Sequence, residues 1–225
     1  LTDVHNVDLS GFEVFSGSDH GFLLDNASGC VITNCIGRNN AKDGIYFLRS
    51  PANFVVDSAF YSNSDDGIQC SGGAANTFLR VVSRNNTVNG FRGQDTTSYG
   101  GNRAYNWILQ QCAIHNNASG IRFYSDFSNT AQCWNWSITN TVIYGNTSYG
   151  VYLNHRNGVR IFNSIVANNL GTALGHAGTG SFVVDYTDIY GNGVNYSTPG
   201  ANCISADPAF FNAVEGDFHL WQGSP

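Results

Sequence analysis

Asn40-Ala41-Lys42-Asp43-Gly44-Ile45, Asn63-Ser64-Asp65-Asp66-Gly67-Ile68 and Asn86-Thr87-Val88-Asn89-Gly90-Phe91 share one pattern at a spacing of 23 residues: an asparagine, a three-residue turn, a glycine, then an apolar residue. Extended in both directions, the glycine recurs at Gly21, Gly44, Gly67, Gly90, Gly120 and Gly150, with Ala173 next, at spacings of 23, 23, 23, 30, 30 and 23. Asn40, Asn63, Asn86, Asn116, Asn146 and Asn169 stand four residues before these anchors. Apolar columns follow the anchors (Phe22, Ile45, Ile68, Phe91, Ile121, Val151, Leu174) and precede them by twelve residues (Ile32, Val55, Phe78, Ile108, Ile138, Ile161). A third column lies eight residues before, in Ile36, Ala59, Val82, Cys112, Val142 and Ile165. Internal repetition of this length is the signature of a stacked architecture.

Three short alternating segments per repeat, each ended by Asn or Gly, describe a coil that turns three corners and returns one strand spacing higher. The expected fold is all-β, a right-handed parallel β-helix of about eight coils. The asparagine column is an architectural ladder: stacked amides bond one another and the backbone groups freed at a corner. Sandwiches and propellers need hairpin turns or longer repeats, and neither pattern is present.

Composition agrees. The 225 residues include 28 Asn and 26 Gly, residues suited to tight turns, and charged residues are only 12%. No linker divides the chain, so a single domain over 1–225 is expected, with 196–225 an irregular tail covering the last coil. Lys42 is the only lysine and the net charge is −6, which excludes sequence-independent nucleic-acid binding. An acidic polymer would instead need a locally held cation. Nothing in the sequence reads as a membrane span or signal peptide. Cys30, Cys35, Cys70, Cys112, Cys133 and Cys203 lack metal spacing and are expected to be mostly buried, unpaired thiols.

If the residue after each anchor points inward, the next one faces solvent. That outer column is Leu23, Tyr46, Gln69, Arg92, Arg122, Tyr152 and Gly175. Just before the anchors runs His20, Asp43, Asp66, Asn89, Ser119, Tyr149 and Thr172, with Asp65 beside Asp66. Rungs roughly 4.8 Å apart bring Asp43, Asp65 and Asp66 together, with Arg92 one rung further. Three converging carboxylates repel unless a cation joins them, and calcium, a hard ion tolerant of irregular oxygen shells, suits them best. The same aspartates could instead be turn formers. Insertions around Gln94 to Tyr105 and Ser125 to Trp136 carry Tyr99, Tyr105, Trp107, Tyr124, Trp134 and Trp136, which could wall a groove and stack on sugars. Trp107 and Trp136 fit a core placement equally well.

The Asn63–Ile68 segment, with Asp43-Gly44-Ile45 before it and Asn89-Gly90-Phe91-Arg92 after it, resembles the active-site coils of family 9 polysaccharide lyases in the pectate-lyase-like superfamily. The tail, with Asp207-Pro208-Ala209-Phe210-Phe211-Asn212 and Gly216-Asp217-Phe218-His219-Leu220, resembles the closing segment of secreted bacterial β-helix proteins. The resemblance implies calcium ligands at Asp43, Asp65 and Asp66, and a catalytic base at Arg92, where family 9 has Lys and other pectate-lyase-like families use Arg. Gln69 stands where family 9 has a further Asp. It further implies a calcium-dependent lyase of an acidic, uronate-containing polysaccharide, secreted or at the cell surface. Tyr46, Gln69, Arg122 and Tyr152 of the outer column, with His20 of the turn column and Tyr124 beside the second insertion, are the residues expected to line the substrate groove. A monomer is expected. The alternatives are a non-catalytic glycan-binding or structural module, and a glycoside hydrolase with Asp43 and Asp66 as its carboxylate pair.

Overall fold

The computed structural model describes residues 1–95, 105–125, 135–154, 158–178, 180–196 and 198–225. Strands of mostly three to four residues stack in parallel into three sheets of eight, eight and seven strands. The first sheet runs from Asp8–Ser10 to Ser181–Asp185, the second from Glu13–Phe15 to Asp188–Tyr190, and the third from Phe22–Asp25 to Thr172–Ala177. Each coil contributes one strand to each sheet, so the chain is a parallel β-helix, as the repeat requires.

The anchor column is glycine because coils approach closely there. A Cβ at Gly67 would lie 2.0 Å from Ser83 Oγ and 2.8 Å from the Gly90 carbonyl oxygen. At Gly21, Gly44, Gly90, Gly120 and Gly150 a Cβ would likewise come within 2.9 Å of the next anchor's carbonyl oxygen. The residue after each anchor is buried, from Phe22 to Leu174, and these pack with the first-sheet column inside the coils. An aromatic cluster of Phe47, Phe78, Phe91, Trp107, Trp136 and Phe123 fills the middle of the solenoid. Trp107 and Trp136 are therefore core residues; Trp107 Nε1 donates to the Gly73 carbonyl.

The ladder runs through Asn40, Asn63, Asn86, Asn117, Asn146, Asn169 and Asn192. In each, the backbone N–H and Nδ2 donate to the next side chain's Oδ1, as in Asn86 to Asn117 at 2.9 and 3.0 Å. Asn117, not Asn116, is the rung. Asn116 is exposed at φ 57°, in the left-handed corner column with Asn39, Ser62, Asn85 and Asn168. The turn to Gly120 is one residue shorter than its neighbours, which also puts Leu109 rather than Ile108 against Phe78. The third apolar column corrects by one residue too. Gly37, Phe60, Ser83, Ile114, Ile143 and Val166 point inward, while Ile36, Ala59, Val82, Val142 and Ile165 are half-exposed on the second sheet's outer face.

The last coil closes with Val194 bridged to Thr172 and Ile204 to Asp188. The chain then leaves the end of the solenoid. Phe210–Asn212 and Asp217–Leu220 form an antiparallel hairpin on the flank of the second sheet, where the Phe218 ring lies 5.0 Å from His115 and 5.6 Å from Tyr144. Burial beneath this hairpin, with Arg84 adding repulsion, lowers the His115 pKa to about 4, so the imidazole is neutral. The five described cysteines are free, and four of them are buried. Among the described residues, no helix is long and apolar enough to cross a membrane.

Candidate functional site

The third sheet places the outer column in one line: Leu23, Tyr46, Gln69, Arg92, Arg122, Tyr152 and Gly175 are successive register partners. Along one margin lies the turn column. Asp43 Oδ1 accepts from the Asp66 backbone N–H at 2.9 Å, and Asp66 Oδ1 accepts from the Asn89 N–H at 2.9 Å and from Asn89 Nδ2 at 2.7 Å. Both carboxylates are fully buried. Each keeps a second oxygen, Oδ2, that accepts no hydrogen bond. Asp43 Oδ2 lies 3.0 Å from His20 Nδ1, and Asp66 Oδ2 lies 3.8 Å from Arg92 Nη1. The structure thus brings together Asp43, Asp65 and Asp66, with one carboxylate oxygen from each inside a 4.8 Å span.

Burial, followed by repulsion from Asp66, raises the Asp43 pKa to about 8. Burial and repulsion from Asp65 raise Asp66 to about 6, against the pull of Arg92. Two buried carboxylates whose Oδ2 atoms accept no hydrogen bond, beside a third carboxylate, could hold a hard cation: charge neutralisation would remove the repulsion, and oxygen is the preferred ligand. Calcium fits the residues present, although Gln69 is neutral and its amide donates instead to Ser71 Oγ at 3.3 Å.

His20 packs against Tyr46 with ring centroids 4.8 Å apart and the rings tilted by 41°, and burial lowers its pKa. Lys42 pairs with Asp19 at 2.8 Å beside it, closing this end of the groove. On the other side of the cluster, Val88, Asn89, Arg92, Arg122 and Tyr124 line a cleft of about 130 Å³. Asn89 Oδ1 is buried there without a partner. Arg122 lies 5.6 Å from the centroid of the Tyr152 ring. Asn89 and Tyr149 belong to this groove as well; the column before the anchors contained both, and the sequence reading gave neither a site role. Tyr105 is exposed. Tyr99, Trp134 and most of the two insertions lie outside the described residues.

Residues 1–133 match the family model described as right handed beta helix region. The chain belongs to the right-handed β-helix family. Solved structures similar to this β-helix protein include the A-module of a mannuronan C-5 epimerase from Azotobacter vinelandii (TM-score 0.61, 16% identity, 91% of this chain and 65% of that one). A periplasmic alginate epimerase aligns at TM-score 0.64 and 15% identity over 87% of this chain and 46% of the other. Pectate lyase Pel9A aligns at TM-score 0.53 and 16% identity over 98% and 64%. This β-helix chain therefore spans about half to two thirds of the length of these proteins, and at such identities the likeness is one of fold. No curated protein sequence matches it.

Proposed function

We propose that this β-helix is a carbohydrate-active enzyme, working outside the cytoplasm, that removes the C5 proton of a uronate in an acidic polysaccharide and completes a β-elimination. The observation that carries this reading is the juxtaposition of three carboxylates, two with unused buried oxygens, and two arginines on adjacent rungs of an open groove. Similar solved folds that act on alginate or pectate, polymers of uronates, support it, since epimerisation and lyase cleavage share the loss of the C5 proton.

Asp43, Asp65 and Asp66 would hold calcium. When bound, it would neutralise the uronate carboxylate and stabilise negative charge developing at C5. Arg92 stands at the edge of this cluster and takes the C5 proton; the C–H electron pair becomes the C4–C5 double bond, and the O4 glycosidic oxygen leaves with the C4–O4 electron pair and takes a proton from water. A guanidinium has no lone pair to accept a proton and only the neutral guanidine form of Arg92 is a base, so the activity should climb toward alkaline pH. His20 and Tyr46 line one end of the groove, and Gln69, Arg122, Tyr124 and Tyr152 line the rest.

A hydrolase is disfavoured because Asp43 and Asp66 are fully buried and cannot reach a glycosidic oxygen. A glycan-binding module is the second reading, favoured by the way Asp43 and Asp66 each bond the backbone of the following coil, which is an architectural use of a carboxylate. Incubation with polygalacturonate, alginate and related uronans plus calcium separates the two. Ultraviolet absorbance of unsaturated product should appear, and Arg92→Ala should lower kcat by about 10²–10⁴-fold. Activity that survives Arg92→Ala removes the assigned base, and inactivity on every uronan with retained glycan binding establishes the module.

A further inference from the structure

The groove does not end at the arginines. One rung beyond Arg122 the outer column carries Tyr152, and the turn column carries Tyr149; their rings lie 4.5 Å apart at 43°. The next rung is Gly175. A Cβ there would lie 3.1 Å from Tyr149 Cε1 and 3.2 Å from Tyr152 Cδ2, so both rings rest over a stretch of backbone that has no side chain to lift them. Both tyrosines remain half-exposed. The core of this protein is already filled by buried aromatics, and these two lie outside it, on the groove face.

We infer that Tyr149 and Tyr152, lying over Gly175, form a stacking subsite for a pyranose ring of a uronan whose chain runs along the solenoid axis, with Arg122 pairing the carboxylate of a sugar between this platform and the aspartate cluster. The inference rests on the proposed uronate specificity and adds a direction and a length to it. Gln69, Arg92, Arg122 and Tyr152 are successive partners, so the platform lies three rungs, roughly 14 Å, from the rung beside Asp66. A 1,4-linked pyranose chain advances by close to one rung per sugar. Four sugars therefore reach from the cluster to the platform, and three do not. Tyrosine suits the role: its ring face packs on the C–H face of a sugar while its hydroxyl stays in water. The guanidinium beside Tyr152 supplies the charge for the neighbouring carboxylate.

Calorimetric binding of oligogalacturonates and oligomannuronates of two to six residues, at fixed calcium, tests this. The wild type should gain about tenfold in affinity between trimer and tetramer, on at least one of the two series. The Tyr149→Ala, Tyr152→Ala double variant should lose that step. The Tyr149→Phe, Tyr152→Phe pair should keep the step, which separates stacking from a loss of folding. A wild-type affinity that does not change beyond the dimer, or a step that survives the alanine pair, overturns the subsite and leaves the uronate reading standing. Tyrosine-dependent binding of neutral oligosaccharides with none of uronates would retain the platform and overturn the uronate reading.

Discussion

Asp43→Asn raises the melting temperature at about pH 9 in the presence of chelator and abolishes any further gain from calcium, whereas the wild type is stabilised by calcium at that pH and not at about pH 4. Two buried carboxylates set the sign of these shifts. Their folded-state pKa values are raised, to about 8 for Asp43 and about 6 for Asp66. The folded protein therefore holds these protons more tightly than the unfolded chain does. Without a cation, what these two groups contribute to stability is greatest below the ordinary carboxylate range and is lost as pH rises through 6 and 8. Asparagine removes the buried charge at Asp43 and keeps an oxygen for the Asp66 N–H, so the variant should gain roughly 2–4 kcal/mol at alkaline pH without metal. Calcium should bind the ionised form and so offset the same penalty in the wild type. Differential scanning calorimetry of both proteins, with calcium and with chelator, checks the sign of all four differences. A variant less stable than the wild type in chelator would show that the Asp43 carboxylate is already satisfied.

Asn117→Ala should destabilise the protein by about 2–4 kcal/mol, because it leaves the Asn86 N–H and Nδ2 without their acceptor inside the solenoid. Asn116→Ala should cost about 1 kcal/mol or less, the penalty of placing alanine at a left-handed corner. Chemical denaturation of the two variants compares them directly. Equal effects would contradict the one-residue shift of this coil, on which the positions of Leu109, Ile114 and His115 also depend.

That pair of residues shows how legible the fold was. Short strands, three per repeat, followed from glycine spacing and apolar columns, because a side chain at an anchor would strike the next coil and an inward polar side chain would be buried unpaired. The register of the third sheet, and with it the groove, followed from the same anchors. The count back from Gly120 landed on Asn116 because the turn there is one residue short. A local signal could have corrected it: in Asn39-Asn40, Asn85-Asn86 and Asn168-Asn169 the second asparagine is the rung and the first turns the corner, as in Asn116-Asn117. The third apolar column misled for a different reason. Its inward positions include Gly37 and Ser83, while the half-exposed faces beside them carry Ile36 and Val82, so hydrophobicity alone favoured the wrong face.

At the site, sequence columns placed Asp43, Asp65 and Asp66 together but gave no sign of how deeply the first two are buried. Burial comes from the turns of neighbouring coils and from Asn89, whose Nδ2 caps Asp66 Oδ1. It is this depth, rather than proximity alone, that raises their pKa values and leaves one oxygen on each unused. The tyrosine platform was equally hidden, since it depends on a missing side chain at Gly175 one coil away.

If the aspartate cluster and the groove act as one site, the cation and the uronate each complete the other's surroundings. Gln69 supplies no charge, so calcium alone should bind weakly and a tetra-uronate should tighten it, and by linkage calcium should tighten the tetra-uronate by the same factor. Isothermal titration of calcium into the wild type and Asp66→Ala, each with and without a tetra-uronate, measures this directly. The expected result is a calcium heat that strengthens with the oligosaccharide and is lost in Asp66→Ala. Calcium heat absent under both conditions, or unchanged by Asp66→Ala, would contradict it and leave these aspartates as turn formers of the solenoid.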